Sequence, residues 1–139
     1  MTHAGRLHPL LLHFPIALVI VAAFAELVAT LKSRRRWHIV SVANVRAAAV
    51  SAVATAATGW FLAASLSVDD GRSLHWHGWL GTAAALATIG AAFTTVAIDR
   101  RPSTVRWAYR IALWTAAVLV GVTGHLGATL VWGADFLRP

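Results

Sequence analysis

The stretch LHPLLLHFPIAL, from Leu7 to Leu18, opens a long apolar run and carries two histidines, His8 and His13. An ionisable ring inside a lipid-embedded segment costs free energy unless a partner binds it, so histidines in such segments are candidates for function. The run continues to about Leu31, which is too far for the apolar part of a signal peptide. We therefore predict a membrane-spanning helix whose first turns carry functional imidazoles.

The composition of the whole chain is that of a membrane protein. Hydrophobic residues make up 58% of the 139 residues, charged residues make up 12%, and the mean hydropathy is +0.68. A helix needs about 20 residues to cross a bilayer core of about 30 Å. Four segments reach this length, namely residues 9–31, 44–66, 74–98 and 106–132. The expected architecture is one all-α domain over residues 1–139, an integral membrane four-helix bundle.

The positive charges predict the orientation of this bundle. Most of the lysines and arginines fall within or just beyond the connections that follow the first and third segments, and the net charge is +7. Because basic loops stay in the cytoplasm, both termini and the connection 67–73 are expected on the outer, periplasmic side. The same bias accounts for the charge, so membrane lipid and not nucleic acid is the expected partner.

The histidines are distributed unevenly under this topology, because only His38 maps to the inner half. The chain has no cysteine, so any bound iron must be held by histidine. A low-spin haem takes one imidazole from each side of the porphyrin, which requires histidines at similar depth on different helices. The six histidines of the outer half are His3, His8, His13, His75, His77 and His125. By depth we pair His13 with His125 and His8 with His77.

Small residues beside these histidines indicate room for a flat ligand. Gly81 lies one turn from His77, and Gly121 and Gly124 lie next to His125. The expected cofactor is therefore haem b, in one or two copies near the outer face.

Other interpretations of these residues remain open. Arg6 and Arg72, at the expected outer mouth, suit haem propionates, but they are equally well explained as solvated loop arginines. The histidines are also compatible with hydrogen bonds across helices or with a bare copper or zinc site. Glu26 suits a small proton-coupled transporter, although an ion pair with Arg46 or Arg110 explains it more simply.

Three strings carry a resemblance to a known family: HPLLLHFPIAL, then His77 followed by Trp79, Leu80 and Gly81, and GHLGATLVWG near the end. They resemble an uncharacterised family of bacterial four-span membrane domains, which is known by a domain-of-unknown-function label. The similarity covers almost the whole chain and implies a multi-pass protein of the bacterial inner membrane. Trp132 stands where members of that family often have tyrosine.

The resemblance also implies a redox context. Members of the family occur alone or fused to cytochrome c, Rieske or sugar-dehydrogenase-like modules, and their recurrent histidines correspond to His8, His13, His77 and His125. We expect a cytochrome b-like subunit of a larger redox complex that relays electrons between a periplasmic partner and quinone or another cytochrome. The chain shows no set of catalytic residues, so it is not expected to be an enzyme by itself. The alternative is a cofactor-free anchor or assembly subunit.

Overall fold

The computed structural model describes residues 5–65, 71–97, 102–133 and 135–136. A short 3-10 turn, Gly5–Leu7, leads into five helices: α1 (His8–Leu11), α2 (His13–Lys32), α3 (Arg35–Ser65), α4 (Gly71–Ala97) and α5 (Pro102–Trp132). Four helical segments are long and apolar enough to cross a membrane, and the first of them combines the 3-10 turn with α1 and α2. The all-α bundle with four membrane-length helices is therefore confirmed. His3 and most of the connection 67–73 lie outside the described residues.

The second long helix begins earlier than the hydropathy suggested. α3 starts at Arg35 instead of near Asn44, and it follows a turn in which Ser33 adopts the left-handed conformation with φ 48°. Arginine is a good helix former, so a basic stretch need not be a loop. The first basic connection is consequently only two residues long, and its arginines extend along the start of a helix.

The first span is divided at Leu12, between α1 and α2. Pro15 explains the division, because it lacks an N–H group and its ring lies against the carbonyl of Leu11. The bond from Ile16 N to Leu12 O is stretched to 3.5 Å across this point. The break separates His8 on α1 from His13 at the start of α2.

The helices form a ring in which α2 packs against α3 and α5, and α4 packs against the same two helices. α2 and α4 are thus diagonal neighbours, as are α3 and α5. One fully buried alanine from each long helix lies in the core: Ala22, Ala48, Ala91 and Ala116. Small side chains let membrane helices approach closely, which suits a bundle that has little hydrophobic driving force between its helices.

The hairpins α2–α3 and α4–α5 are equivalent halves of the bundle. The buried residues of α3 match those of α5 at a constant separation of 68 positions: Ser41 with Tyr109, Val45 with Leu113, Ala48 with Ala116 and Ala52 with Val120. Between α2 and α4 the separation is 69 positions, and it relates the buried pairs Val19 with Thr88, Ala22 with Ala91 and Glu26 with Thr95. Such parallel repeats are a known way of building membrane proteins.

Overpacking the alanine core tests this arrangement. Ala48 is fully buried, whereas its neighbour Ala47 is exposed. We expect Ala48→Leu to lower the stability by about 1–3 kcal/mol, because the added methylenes force neighbouring helices apart. Ala47→Leu should leave the thermal midpoint, followed by circular dichroism in detergent, almost unchanged. Equal effects of the two substitutions would contradict the packing described.

Candidate functional site

His8 and His77 meet at one end of the bundle, which we call the histidine end. They come from diagonal elements, α1 and α4, and both side chains are half-buried. The ring centroids are 6.4 Å apart and the ring planes are inclined at 84°. The structure thus brings together two histidines that the sequence analysis paired by depth.

Each ring is held through its Nδ1 atom. Nδ1 of His8 lies 3.0 Å from the carbonyl oxygen of Thr55 on α3, and Nδ1 of His77 lies 3.1 Å from that of Thr123 on α5. A carbonyl oxygen only accepts hydrogen bonds, so each Nδ1 must carry the hydrogen and donate it. In the neutral ring Nε2 then keeps its lone pair, which is the form in which histidine binds metals.

A glycine lies beneath each ring. A Cβ atom added at Gly59 would lie 2.8 Å from Cε1 of His8, and one added at Gly127 would lie 3.0 Å from Cε1 of His77. The distance at Gly59 is shorter than real Cβ contacts, so a side chain there would displace the His8 ring, and the distance at Gly127 is tight enough that the His77 ring would have to shift by a few tenths of an ångström. The position of each imidazole thus depends on a glycine in the neighbouring helix.

These contacts form two equivalent units, which we call the histidine clamps. Each combines a histidine with a threonine carbonyl and a glycine four residues later: His8 with Thr55 and Gly59, and His77 with Thr123 and Gly127. Both threonine hydroxyls are buried without a hydrogen-bond partner among the described residues. Thr55 and Gly59 of the first clamp were not among the residues predicted from the sequence. The pattern T-x-x-x-G, repeated at the separation of 68 positions, was the available signal.

The separation of the two ring centroids is of the size expected for two imidazoles bound to one metal ion. With metal–nitrogen distances of about 2.0–2.1 Å, as in zinc–imidazole bonds, opposed rings would have centroids about 6 Å apart. The observed 6.4 Å is close to this value. A second hydrogen bond that orients the ring, as each clamp provides, is typical of ligand histidines. No group of three or more metal-binding side chains occurs within the part of the chain that the structure describes.

A tryptophan fills the groove between α3 and α4 beside this pair. The indole of Trp60 lies 3.5 Å from the position that a Cβ of Gly78 would take, and its Nε1 donates to Oγ1 of Thr82 at 3.0 Å. Gly78 gives the indole room to lie against α4. This groove is therefore closed by the chain itself.

No described residue fills the equivalent groove between α2 and α5 in this way. Ala128 stands where the repeat places the counterpart of the tryptophan. A Cβ at Gly121 or at Gly124 would meet no other described residue within 4 Å. These three residues continue the face of α5 from which Arg110 reaches Glu26 on α2. We call them the α2/α5 groove.

The other predicted ligands border this groove without meeting each other. His13 is exposed and occupies the position equivalent to Thr82, at a separation of 69 residues. His125 is also exposed, and its ring centroid lies 6.0 Å from that of Phe136. No ring contact joins His13 to His125 in the described structure, so their pairing stays a prediction.

Three further predicted residues have simpler surroundings. Arg6 and Arg72 are both exposed at the histidine end, in the 3-10 turn and in the first turn of α4. Gly81 does not leave open space beside His77, because a Cβ there would lie 3.4 Å from Cγ2 of Thr123. At this distance an added Cβ would be in ordinary van der Waals contact with α5.

Residues 5–136 match the model of a family described as "Predicted membrane protein (DUF2231)". The chain belongs to this family. The comparisons with curated proteins and with solved structures found no match. The DUF2231 match includes both histidine clamps and the α2/α5 groove, and it confirms the uncharacterised membrane family expected from the sequence. A link to redox modules stays a prediction.

The clamps predict the tautomer of both histidines. In the protein without added ligand, ¹⁵N spectra of labelled histidine should show His8 and His77 with hydrogen on Nδ1. Gly59→Ala should displace the His8 ring and weaken its bond to the Thr55 carbonyl, since the added methyl group would lie only 2.8 Å from Cε1. Gly124→Ala is the matched control, because its methyl group enters open space. An unchanged His8 signal in Gly59→Ala would contradict the clamp.

Proposed function

We propose that this DUF2231 protein is a cytochrome b-like electron-transfer subunit that holds haem b between His8 and His77. The observation that carries the proposal is the pair of clamped rings, which come from diagonal helices and engage Nδ1 while leaving Nε2 available. Haem iron with two axial imidazoles needs this donor set. When bound, haem supplies one-electron transfer, and the protein contributes binding, orientation and a low dielectric.

The chain's own residues have distinct parts in this function. His8 and His77 provide the two nitrogen ligands. The threonine carbonyls of the clamps fix the ring orientations and increase the basicity of Nε2 by accepting a hydrogen bond at Nδ1. The glycines of the clamps let each imidazole lie against the neighbouring helix. The half-buried position of the rings limits the access of water to the ligand nitrogens.

The α2/α5 groove would take the flat body of the macrocycle. Gly121 and Gly124 leave the space free, and Arg6 and Arg72 at the same end of the bundle suit the propionates. His13 and His125 border this groove, so they are the candidates for ligating a second haem. The equivalent groove on the other side is closed by Trp60.

The location of the pair suggests where electrons enter and leave. At the opposite end the described histidine is His38, which is bonded to Glu26 instead of facing a second histidine. We therefore propose that electrons pass along the histidine end, between a periplasmic cytochrome c, Rieske or dehydrogenase partner and quinone or another cytochrome. The distribution of basic residues supports a periplasmic location of this end in a bacterial inner membrane.

A cofactor-free anchor or assembly subunit is the second candidate, and the same hydrogen bonds favour it. The Nδ1 contacts join α1 to α3 and α4 to α5, and histidines can serve in this way as structural links in membrane bundles. A transporter based on Glu26 has less support, since both carboxylate oxygens are bonded, to Arg110 and to His38.

Asparagine substitutions separate haem ligation from structural linking. The asparagine amide nitrogen lies near the position of Nδ1 and can still donate to the threonine carbonyl, but the side chain lacks the imidazole nitrogen that binds iron. After haem-replete expression, the wild-type protein should show a Soret band and a positive pyridine haemochrome assay. His8→Asn and His77→Asn should each lose most of the haem while their haem-free thermal midpoints stay near that of the haem-free wild type. His75→Asn, at an exposed neighbouring position, should keep it.

A colourless wild-type protein would reject the haem proposal. It would support the anchor if His8→Ala lowered the thermal midpoint and His8→Asn did not. If the wild-type chain binds two haems and His13→Asn binds one, His13 is a ligand of the second haem.

Copying the tryptophan plug into the open groove tests where the macrocycle lies. Ala128→Trp should reduce haem content by about tenfold or more, because an indole the size of that of Trp60 would fill the α2/α5 groove. Val131→Trp, which adds the same indole at a position 74% exposed, is the control and should retain the haem. Normal haem content in Ala128→Trp would show that the groove is not used.

A further inference from the structure

A cleft of about 800 Å³ opens at the end of the bundle opposite the histidine pair, which we call the arginine end. All four long helices contribute to its wall. Five arginines line it: Arg34, Arg35, Arg46, Arg106 and Arg110. Among the described residues of the wall, Glu26 is the one carboxylate. The cleft therefore carries a large excess of positive charge.

Glu26 compensates only part of this charge. Its Oε1 accepts from Nε of Arg110 at 2.8 Å and its Oε2 accepts from Nδ1 of His38 at 2.7 Å, while the carboxylate side chain is 2% exposed. The ion pair with Arg110 agrees with one of the two expected from the sequence. Arg46 instead donates from Nε to Oγ1 of Thr95 at 2.8 Å. The partner of the Arg46 guanidinium is therefore a neutral hydroxyl and not a carboxylate.

The retention of basic residues at the cytoplasmic ends of helices does not account for this arrangement. Arg46 lies eleven residues after the start of α3 at Arg35, and its partner Thr95 lies two residues before the end of α4. A loop-charge bias needs arginines near the helix ends, but it does not need five of them to line one cavity together with a buried glutamate. Nε2 of His38, on the same wall, is buried without a hydrogen-bond partner among the described residues. Because Nδ1 of His38 donates to Glu26, its Nε2 can donate only when the ring is protonated, so the uncompensated charge of the cleft is that of its arginines.

We propose that this cleft is a binding site for a phosphate-bearing anion. The guanidinium group presents two parallel N–H donors that match phosphate oxygens, and arginine is the residue used wherever such paired recognition matters. Several arginines around one cavity offer more donors than the two oxygens of a single carboxylate can accept, whereas a phosphate group accepts through three or four oxygens. The phosphate can belong to an anionic lipid headgroup or to a soluble compound, and the chemistry of recognition is the same. The site lies at the opposite end from the proposed haem ligands and does not depend on them.

Binding can be measured on the full chain in uncharged maltoside micelles by calorimetry and by the thermal midpoint. The two probes are inorganic pyrophosphate and dioctanoyl phosphatidylglycerol. We expect at least one of them to bind and to raise the midpoint. Arg35→Gln/Arg106→Gln should weaken that binding by about tenfold or more, since it removes two paired contacts. Both positions are exposed, so the double variant should fold normally by circular dichroism.

Lys32→Gln/Arg36→Gln is the matched control. It removes two positive charges from the same end of the bundle at exposed positions that do not line the cleft. Its affinity should stay within about twofold of the wild type. Binding of pyrophosphate alone assigns a soluble ligand, binding of the lipid alone assigns a headgroup, and binding of both shows that the phosphate group itself is recognised. The proposal is overturned if neither probe binds, or if the two double variants weaken binding equally.

Discussion

The structure depends on one constraint, which is that a polar side chain inside an apolar bundle must find its partner on another helix. The hydroxyl of Ser41 donates to the carbonyl of Ala22 at 2.7 Å and forms a second hydrogen bond with the hydroxyl of Tyr109. Glu26 meets this constraint through Arg110 and His38. The alanines of the core pack closely but do not specify a register, whereas these bonds allow only one. The polar contacts therefore determine which helix faces which.

The two halves of the bundle share this frame but differ at a few equivalent positions, and the differences coincide with the candidate sites. Trp60 closes one groove, while its counterpart Ala128 leaves the other open. Glu26 forms ion pairs, while its counterpart Thr95 accepts from an arginine. The histidine clamps, in contrast, are the same in both halves. The repeat thus supplies a symmetric pair of histidines. The positions at which the two halves differ define where a bound molecule can enter.

Much of the fold was predictable because it depends on local composition. Apolar length gave the four membrane helices. The start of α3 at Arg35 was not predictable from hydropathy, since charge lowers the apolar score of a stretch without preventing a helix. The clamp residues Thr55 and Gly59 were missed for another reason. They lie in a run of small residues, and only the three-dimensional contact with His8 distinguishes them from their neighbours.

The clamps have a consequence for assembly. His8 is held by its own hairpin and His77 by the other, so each hairpin contributes one imidazole to the clamped pair. A molecule bound by both rings would cross-link the two hairpins. Its binding free energy would be added to the free energy with which the hairpins associate. Two fragments produced by a cut between Ser65 and Gly71 would then associate more tightly in the presence of this molecule. Binding of the molecule and association of the fragments would report on the same equilibrium.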